Sequence, residues 1–143
     1  MTGVQTCALP ILHAAVLDAY DFGAARLIVD VGGGQGQLLA TILAAAPQAR
    51  GIVFDQTSVV AQAPAVLHEF DVHSRCECRS GDFFAAVPAG GDVYLLSAVL
   101  HDWSDADAAR ILRQIKSAMT TGARVLIIEI GRASCRERVY SSV

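Results

Sequence analysis

From residue 24 to residue 129 the chain alternates short apolar runs with longer mixed segments. The run Leu27-Ile28-Val29-Asp30-Val31 reads as a strand, and a glycine cluster follows it. Gln37 to Ala46 reads as a helix of Leu and Ala that Pro47 stops. Gly51-Ile52-Val53-Phe54-Asp55 is a second strand. Thr57 or Ser58 is placed to cap a helix running to about Phe70, with Pro64 an awkward interior residue. Cys76 to Arg79 is a marginal third strand, and Asp92-Val93-Tyr94-Leu95-Leu96-Ser97 is a fourth. Ser104 to Thr120 is the clearest helix. Ile111, Leu112, Ile115, Ala118 and Met119 line one face, and Ser104 with Asp107 forms a capping-box-like pair. Gly122 ends it, and Arg124-Val125-Leu126-Ile127-Ile128-Glu129 is a fifth strand. Strands that are continuous apolar runs alternating with helices specify an α/β domain, with a parallel sheet covered by helices on both faces.

The candidate chemistry lies at the carboxyl ends of these strands, where ligands bind in such sheets. Asp30-Val31-Gly32-Gly33-Gly34-Gln35-Gly36 joins the first strand to the first helix. Glycines there let the chain turn sharply and let a ligand lie against the main chain. A plain tight turn is the simplest reading. The pattern acid-x-G-x-G-x-G fits Asp30, Gly32, Gly34 and Gly36 and suits S-adenosylmethionine. The dinucleotide fingerprint G-x-G-x-x-G fails because Leu39 stands where its third glycine belongs, which disfavours an NAD-dependent oxidoreductase. Asp55 ends the second strand and is placed to accept both hydroxyls of a ribose. Gly81-Asp82-Phe83-Phe84 follows the third strand. It reads either as an acidic turn beside a core phenylalanine or as an adenine site, with Asp82 accepting from the adenine amine and Phe83 on the ring. His101, in Leu100-His101-Asp102-Trp103-Ser104-Asp105, follows the fourth strand. It is either a polar surface residue at a helix start or a proton acceptor near neutral pH. Trp103 is expected to fix the helix entry by packing.

Composition narrows the partners. The 143 residues suffice for one domain, and 53% hydrophobic residues support one sizeable core. A net charge of −3 without a basic block argues against nucleic acid and anionic membranes. No apolar run approaches the ~18–20 residues of a membrane span. Four cysteines in a chain this size do not read as a disulfide scaffold. Lys116 is the sole lysine beside ten arginines, and with abundant alanine this points to a GC-rich bacterial source. His68, His73, Cys76 and Cys78 match no common zinc spacing, so no metal site is read.

The two ends look foreign to this domain. Met1 to Ile11 resembles a signal peptide only superficially, and like Ile130 to Val143 it resembles a translated frame of a short-read sequencing adapter. The expected domain is therefore residues 12–129. Without Arg132, Arg136, Arg138 and Glu137 it holds 8 basic and 13 acidic residues, a balance of −5. With no targeting signal read, the expected location is cytoplasmic.

Taken together, Val29 to Gly36, Phe54-Asp55, Gly81 to Phe84, Leu100 to Asp105 and Val125 to Glu129 resemble the small-molecule O-methyltransferases, in that family's order and spacing. The family includes plant caffeate-type enzymes and bacterial tailoring enzymes for polyketides and carotenoids. The resemblance implies a Rossmann-like methyltransferase fold, truncated after about five strands. It implies S-adenosyl-L-methionine as cofactor, held by Asp30, Gly32, Gly34, Gly36, Asp55, Asp82 and Phe83. Ser97 takes a cofactor-facing position where plant members carry lysine. His101 would be the general base, and Glu129 an acid flanking it. The acceptor would be a phenolic or enolic hydroxyl of a small, usually aromatic, molecule. The intact enzyme would be a homodimer through an N-terminal domain missing here, and the fragment itself would be inactive. The alternative is a methyltransferase-like domain that binds the cofactor without O-methyltransferase activity.

Overall fold

The computed structural model describes residues 3–130 and 137–142, with side chains described for residues 11–129. The flanks set apart above fall partly outside this range, at residues 1–2, 131–136 and 143.

The order along the chain is α1 (Gly3–Ala19), β1 (Leu27–Val31), α2 (Gln37–Ala45), β2 (Arg50–Asp55), α3 (Thr57–Val60), α4 (Ala63–Glu69), β3 (Cys76–Ser80), β4 (Val93–Ser97), α5 (Asp105–Ala118), β5 (Arg124–Ile130) and β6 (Glu137–Ser142). The strands form one sheet in the order β3-β2-β1-β4-β5-β6. All pairings among β1 to β5 are parallel. β6 pairs antiparallel with β5 and is an addition to the five strands expected.

The period-2 alternation of the strands divides the interior into two layers. Ile28, Val53, Leu95, Leu126 and Ile128 face one way and pack with α1, α2 and α4 through Leu12, Val16, Leu39, Leu43 and Leu67. Val29, Val31, Ile52, Phe54, Tyr94, Leu96 and Val125 face the other way, against Ile111 and Ile115 of α5. Helices therefore cover both faces, as the continuous apolar strands require.

The helix expected from Thr57 to Phe70 is instead two short helices. Pro64 is the cause. It cannot donate inside a helix but fits a first turn, and it occupies the first turn of α4. The N-cap of α3 is Gln56, with no side-chain cap, so neither Thr57 nor Ser58 caps it. Only half of the capping box at α5 forms. Ser104 Oγ accepts from the Asp107 N–H at 3.2 Å, while the Asp107 carboxylate turns to Arg110.

From β1 to β3 successive strands are added toward one edge of the sheet, and from β4 to β5 toward the other. The point of reversal lies between β1 and β4, where the carboxyl ends leave a crevice.

Candidate cofactor and active site

A cavity of about 400 Å³ opens at that crevice. It is lined by Asp30, Gly32, Gly33, Gly34 and Gln35 from β1 and its loop, by Ser97 and Ala98 from the end of β4, and by Leu12 and His13 from α1. Four of the residues singled out from sequence, Asp30, Gly32, Gly34 and Ser97, thus share one wall. The α1 contribution was not expected, although the i, i+4 pair Leu12 and Val16, both buried, carried a signal for a packed helix.

The loop is held against the carboxyl end of β2. The N–H groups of Gly32 and Gly33 donate to the Phe54 carbonyl at 2.8 and 3.2 Å. A side chain is excluded at both residues. A Cβ at Gly32, where φ is +71°, would meet Val99 at 2.8 Å, and one at Gly33 would meet the Asp30 carboxyl carbon at 2.8 Å. Gly36 differs from the others. It is buried at the start of α2, facing Val53, Ala63 and Leu67, and serves helix packing beside the loop.

Asp30 lies beneath this loop and is 1% exposed. Its Oδ1 is buried without a hydrogen-bond partner among the described residues. Burial, and then the negative charge of Asp55, push its pKa up to about 7. Asp55 is organised differently. Its Oδ2 accepts from the Gly34 N–H at 2.9 Å and its Oδ1 from the Gln56 N–H at 2.7 Å. These bonds fix the carboxylate at the loop and leave each oxygen a lone pair for a further donor.

The turn after β3 places Phe83 toward the loop, its ring 3.7 Å from where a Gly32 Cβ would stand. Phe83, Phe84 and Trp103 form an edge-on cluster with centroids 4.8–5.9 Å apart. Arg110 lies over Phe84 at 4.7 Å. Trp103 joins this cluster yet stays 40% exposed, so it links the β3 turn to the start of α5 rather than filling the core. Asp82 is exposed, and its carboxylate accepts from the Phe84 N–H at 2.9 Å.

His101 sits in a 3-10 turn, Leu100–Asp102, that follows β4. Ala98 makes the bend that leads there. It holds φ at +55°, a left-handed value unusual for alanine, and its N–H donates to the Ile128 carbonyl of β5 at 2.8 Å. The His101 ring reaches β5, with Nδ1 at 2.8 Å from Glu129 Oε2. On its other side Nε2 is 3.1 Å from Asp102 Oδ1. Asp102 was not singled out from the sequence, since adjacency in the chain carries no information on its rotamer. Glu129 Oε1 is buried and has no partner among the described residues. His101, Asp55, Asp82 and Phe83 lie outside the lining of the 400 Å³ cavity.

His68 and His73 stack on one another at 3.7 Å, and the Cys76 and Cys78 thiols are half-buried against the core. Among the described residues no three His, Cys, Asp or Glu side chains gather as a metal-holding group. No described helix is long and apolar enough to cross a membrane.

A family model described as an O-methyltransferase domain matches residues 2–141. The phenazine O-methyltransferase of Lysobacter antibioticus is 48% identical over 116 residues, which make up 81% of this chain and 34% of that protein. The solved structure of a mitomycin 7-O-methyltransferase matches with a TM-score of 0.82 at 42% identity, covering 87% of this chain and 37% of the other. An O-methyltransferase from neocarzinostatin biosynthesis, solved with S-adenosyl-L-homocysteine and 1,4-dihydroxy-2-naphthoic acid, matches with a TM-score of 0.75 at 39% identity, covering 80% of this chain and 35% of the other. The chain spans about a third of the length of these relatives.

Proposed function

The chain belongs to the O-methyltransferase domain family, and on that premise we propose that it is the cofactor-binding part of an S-adenosylmethionine-dependent O-methyltransferase acting on a phenolic or enolic hydroxyl of a small aromatic molecule. The observation that carries this reading is the pairing of two features on one sheet edge. One is a glycine-loop cavity floored by a buried carboxylate with an unpartnered oxygen. The other is a histidine held by a glutamate from the neighbouring strand.

The residues present fit the cofactor. Gly32 and Gly34 leave the main chain open to the methionine part, and Gly36 starts the helix behind it. Asp30 and Ser97 line the same space. Asp55, fixed by two backbone donors, keeps lone pairs for the ribose hydroxyls. Asp82 and Phe83 would take the adenine. When bound, the cofactor supplies an electrophilic methyl group on a sulfonium. The chain's own task is then to make the acceptor oxygen nucleophilic. The Nδ1–H of His101 donates to the Glu129 carboxylate, which leaves Nε2 as the basic nitrogen. Asp102, whose side chain is 68% exposed, turns to water as the acceptor hydroxyl reaches Nε2. His101 takes the hydroxyl proton, and Glu129 stabilises the imidazolium that results.

One relative is by name a phenazine O-methyltransferase, and the neocarzinostatin-biosynthesis enzyme was solved with 1,4-dihydroxy-2-naphthoic acid, which supports an aromatic acceptor. Residues 12–129 contain every residue given a role here, and the flanks are read as adapter-derived. The location is read as cytoplasmic. Dimerisation is assigned to chain outside this sequence. The test is equilibrium binding. S-adenosylhomocysteine should bind this chain and NAD should not. Preference for NAD would overturn the reading. In a protein extended to the length of its relatives, binding without methyl transfer to any of a panel of phenols would instead assign a methyltransferase-like binding domain.

A further inference from the structure

Asp30 is a buried carboxyl with no cation beside it among the described residues. Taking a carboxylate out of water costs several kcal/mol unless it is paired and hydrogen-bonded. Among the described residues no positive group supplies that pairing. Asp55, at the end of β2, carries a charge stabilised by two backbone donors, and that charge opposes a second one on Asp30. His13 of α1 lines the same cavity, and its burial favours the neutral ring. Cys76 of β3 is a thiol pushed up to about 12, and so is neutral. Ser97 of β4 offers a hydroxyl. The loop above is closed by Gly33, whose missing side chain leaves room for the carboxyl group.

We propose that Asp30 is a proton-exchanging binding group, protonated in the free domain and ionised when the ammonium of the bound cofactor enters the glycine-loop cavity. The inference rests on the cofactor reading above and adds a linked proton to it. A cation beside Asp30 reverses the local balance of charge, because it favours the ionised form that burial and Asp55 disfavour. Where Asp30 is protonated, its proton leaves for solvent as the ligand binds, and no other bond is made or broken. Cofactor affinity is therefore pH-dependent. Between pH 5.5 and 7 it rises by up to about tenfold per pH unit, and the gain fades above the free-state pKa of Asp30.

Calorimetric titration of S-adenosylhomocysteine into the 143-residue chain, in buffers of different ionisation enthalpy, counts the protons. Near pH 6 the expected release is close to one proton per site, and near pH 8 it is about a tenth of that. Asp30→Asn keeps the shape of the neutral carboxyl. It should bind with no proton release and with pH-independent affinity over this window. His13→Gln should retain the release. Binding by the unaltered chain at pH 6 without proton release overturns the proposal, and so does a release that disappears in His13→Gln but persists in Asp30→Asn. No binding at either pH overturns the cofactor reading, and this inference with it.

Discussion

His101 presents both ring nitrogens to carboxylates, Glu129 at Nδ1 and Asp102 at Nε2. The two contacts are not equivalent. Glu129 is 23% exposed and sits on a strand, so it holds the ring. Asp102 is exposed on a turn, where such a pair contributes little and breaks readily. Nε2 can donate to Asp102 only while it carries a proton, so a His101 acting as base keeps Glu129 at Nδ1 and gives up Asp102 at Nε2 to an incoming hydroxyl. In the protein at the length of its relatives, His101→Gln should lower turnover by at least about a hundredfold, the low end for a positioned base. S-adenosylhomocysteine affinity should be unchanged, because in the proposed reading His101 meets the acceptor hydroxyl and not the cofactor. The loss should shrink for phenols acidic enough to ionise in solution. Near-normal turnover on a weakly acidic phenol would return His101 to a helix-entry role. At this scale the pairing of His101 with Glu129 was legible, because both stand at carboxyl ends of strands expected to be neighbours. Asp102 at Nε2 and the unpartnered oxygens of Asp30 and Glu129 were not, since side-chain torsions and desolvation depend on contacts between distant segments.

Arg75 shows what elements do for one another. It stands in the short turn before β3, yet its guanidinium donates to the carbonyls of Leu43, Ala46 and Ala49 at 2.9, 3.3 and 2.6 Å. Leu43 lies in the last turn of α2, where the carbonyls carry the negative end of the helix dipole, and Ala46 and Ala49 follow it; the Leu43 and Ala46 carbonyls also accept from the N–H groups of Ala46 and Ala49. A single side chain thereby ties α2 to the β3 edge of the sheet. Arg75→Ala should destabilise the fold by about 2 kcal/mol, in the range for hydrogen bonds to a charged group. The urea midpoint should fall while the slope stays constant. An unchanged midpoint would show that water satisfies those carbonyls equally well. Nothing local in the sequence marks Arg75, because its acceptors lie 26 to 32 residues away. The strands, by contrast, were readable as apolar runs. The boundary at Pro64 is not legible in the sequence, because a proline inside an expected helix can also be the first turn of a new one.

At the scale of the molecule, the parallel α/β class followed from the sequence pattern, but the strand order did not. Apolar runs state that strands are buried on both faces; they do not state which strands adjoin. That order brings β4 against β1 and creates the crevice over Asp30. The same burial makes Asp30 a determinant of whole-domain stability. Its folded pKa is about 7, above the value of about 3.9 for an unperturbed aspartate. The folded state therefore holds this proton more tightly than the unfolded chain does. The stabilising contribution is fully present below the unfolded pKa and is lost as pH rises through about 7. Between those limits the loss approaches about 1.4 kcal/mol per pH unit. Asp30→Asn cannot ionise and should lose this dependence. Urea denaturation of both proteins from pH 5.5 to 8.5 isolates the effect, since titrations of distant groups cancel in the difference. The variant should gain stability over the unaltered chain steadily up to about pH 7.5 and then hold a constant margin. Parallel pH profiles for the two proteins would mean that Asp30 keeps its charge when folded, and that water or a counter-ion reaches it beneath the glycine loop.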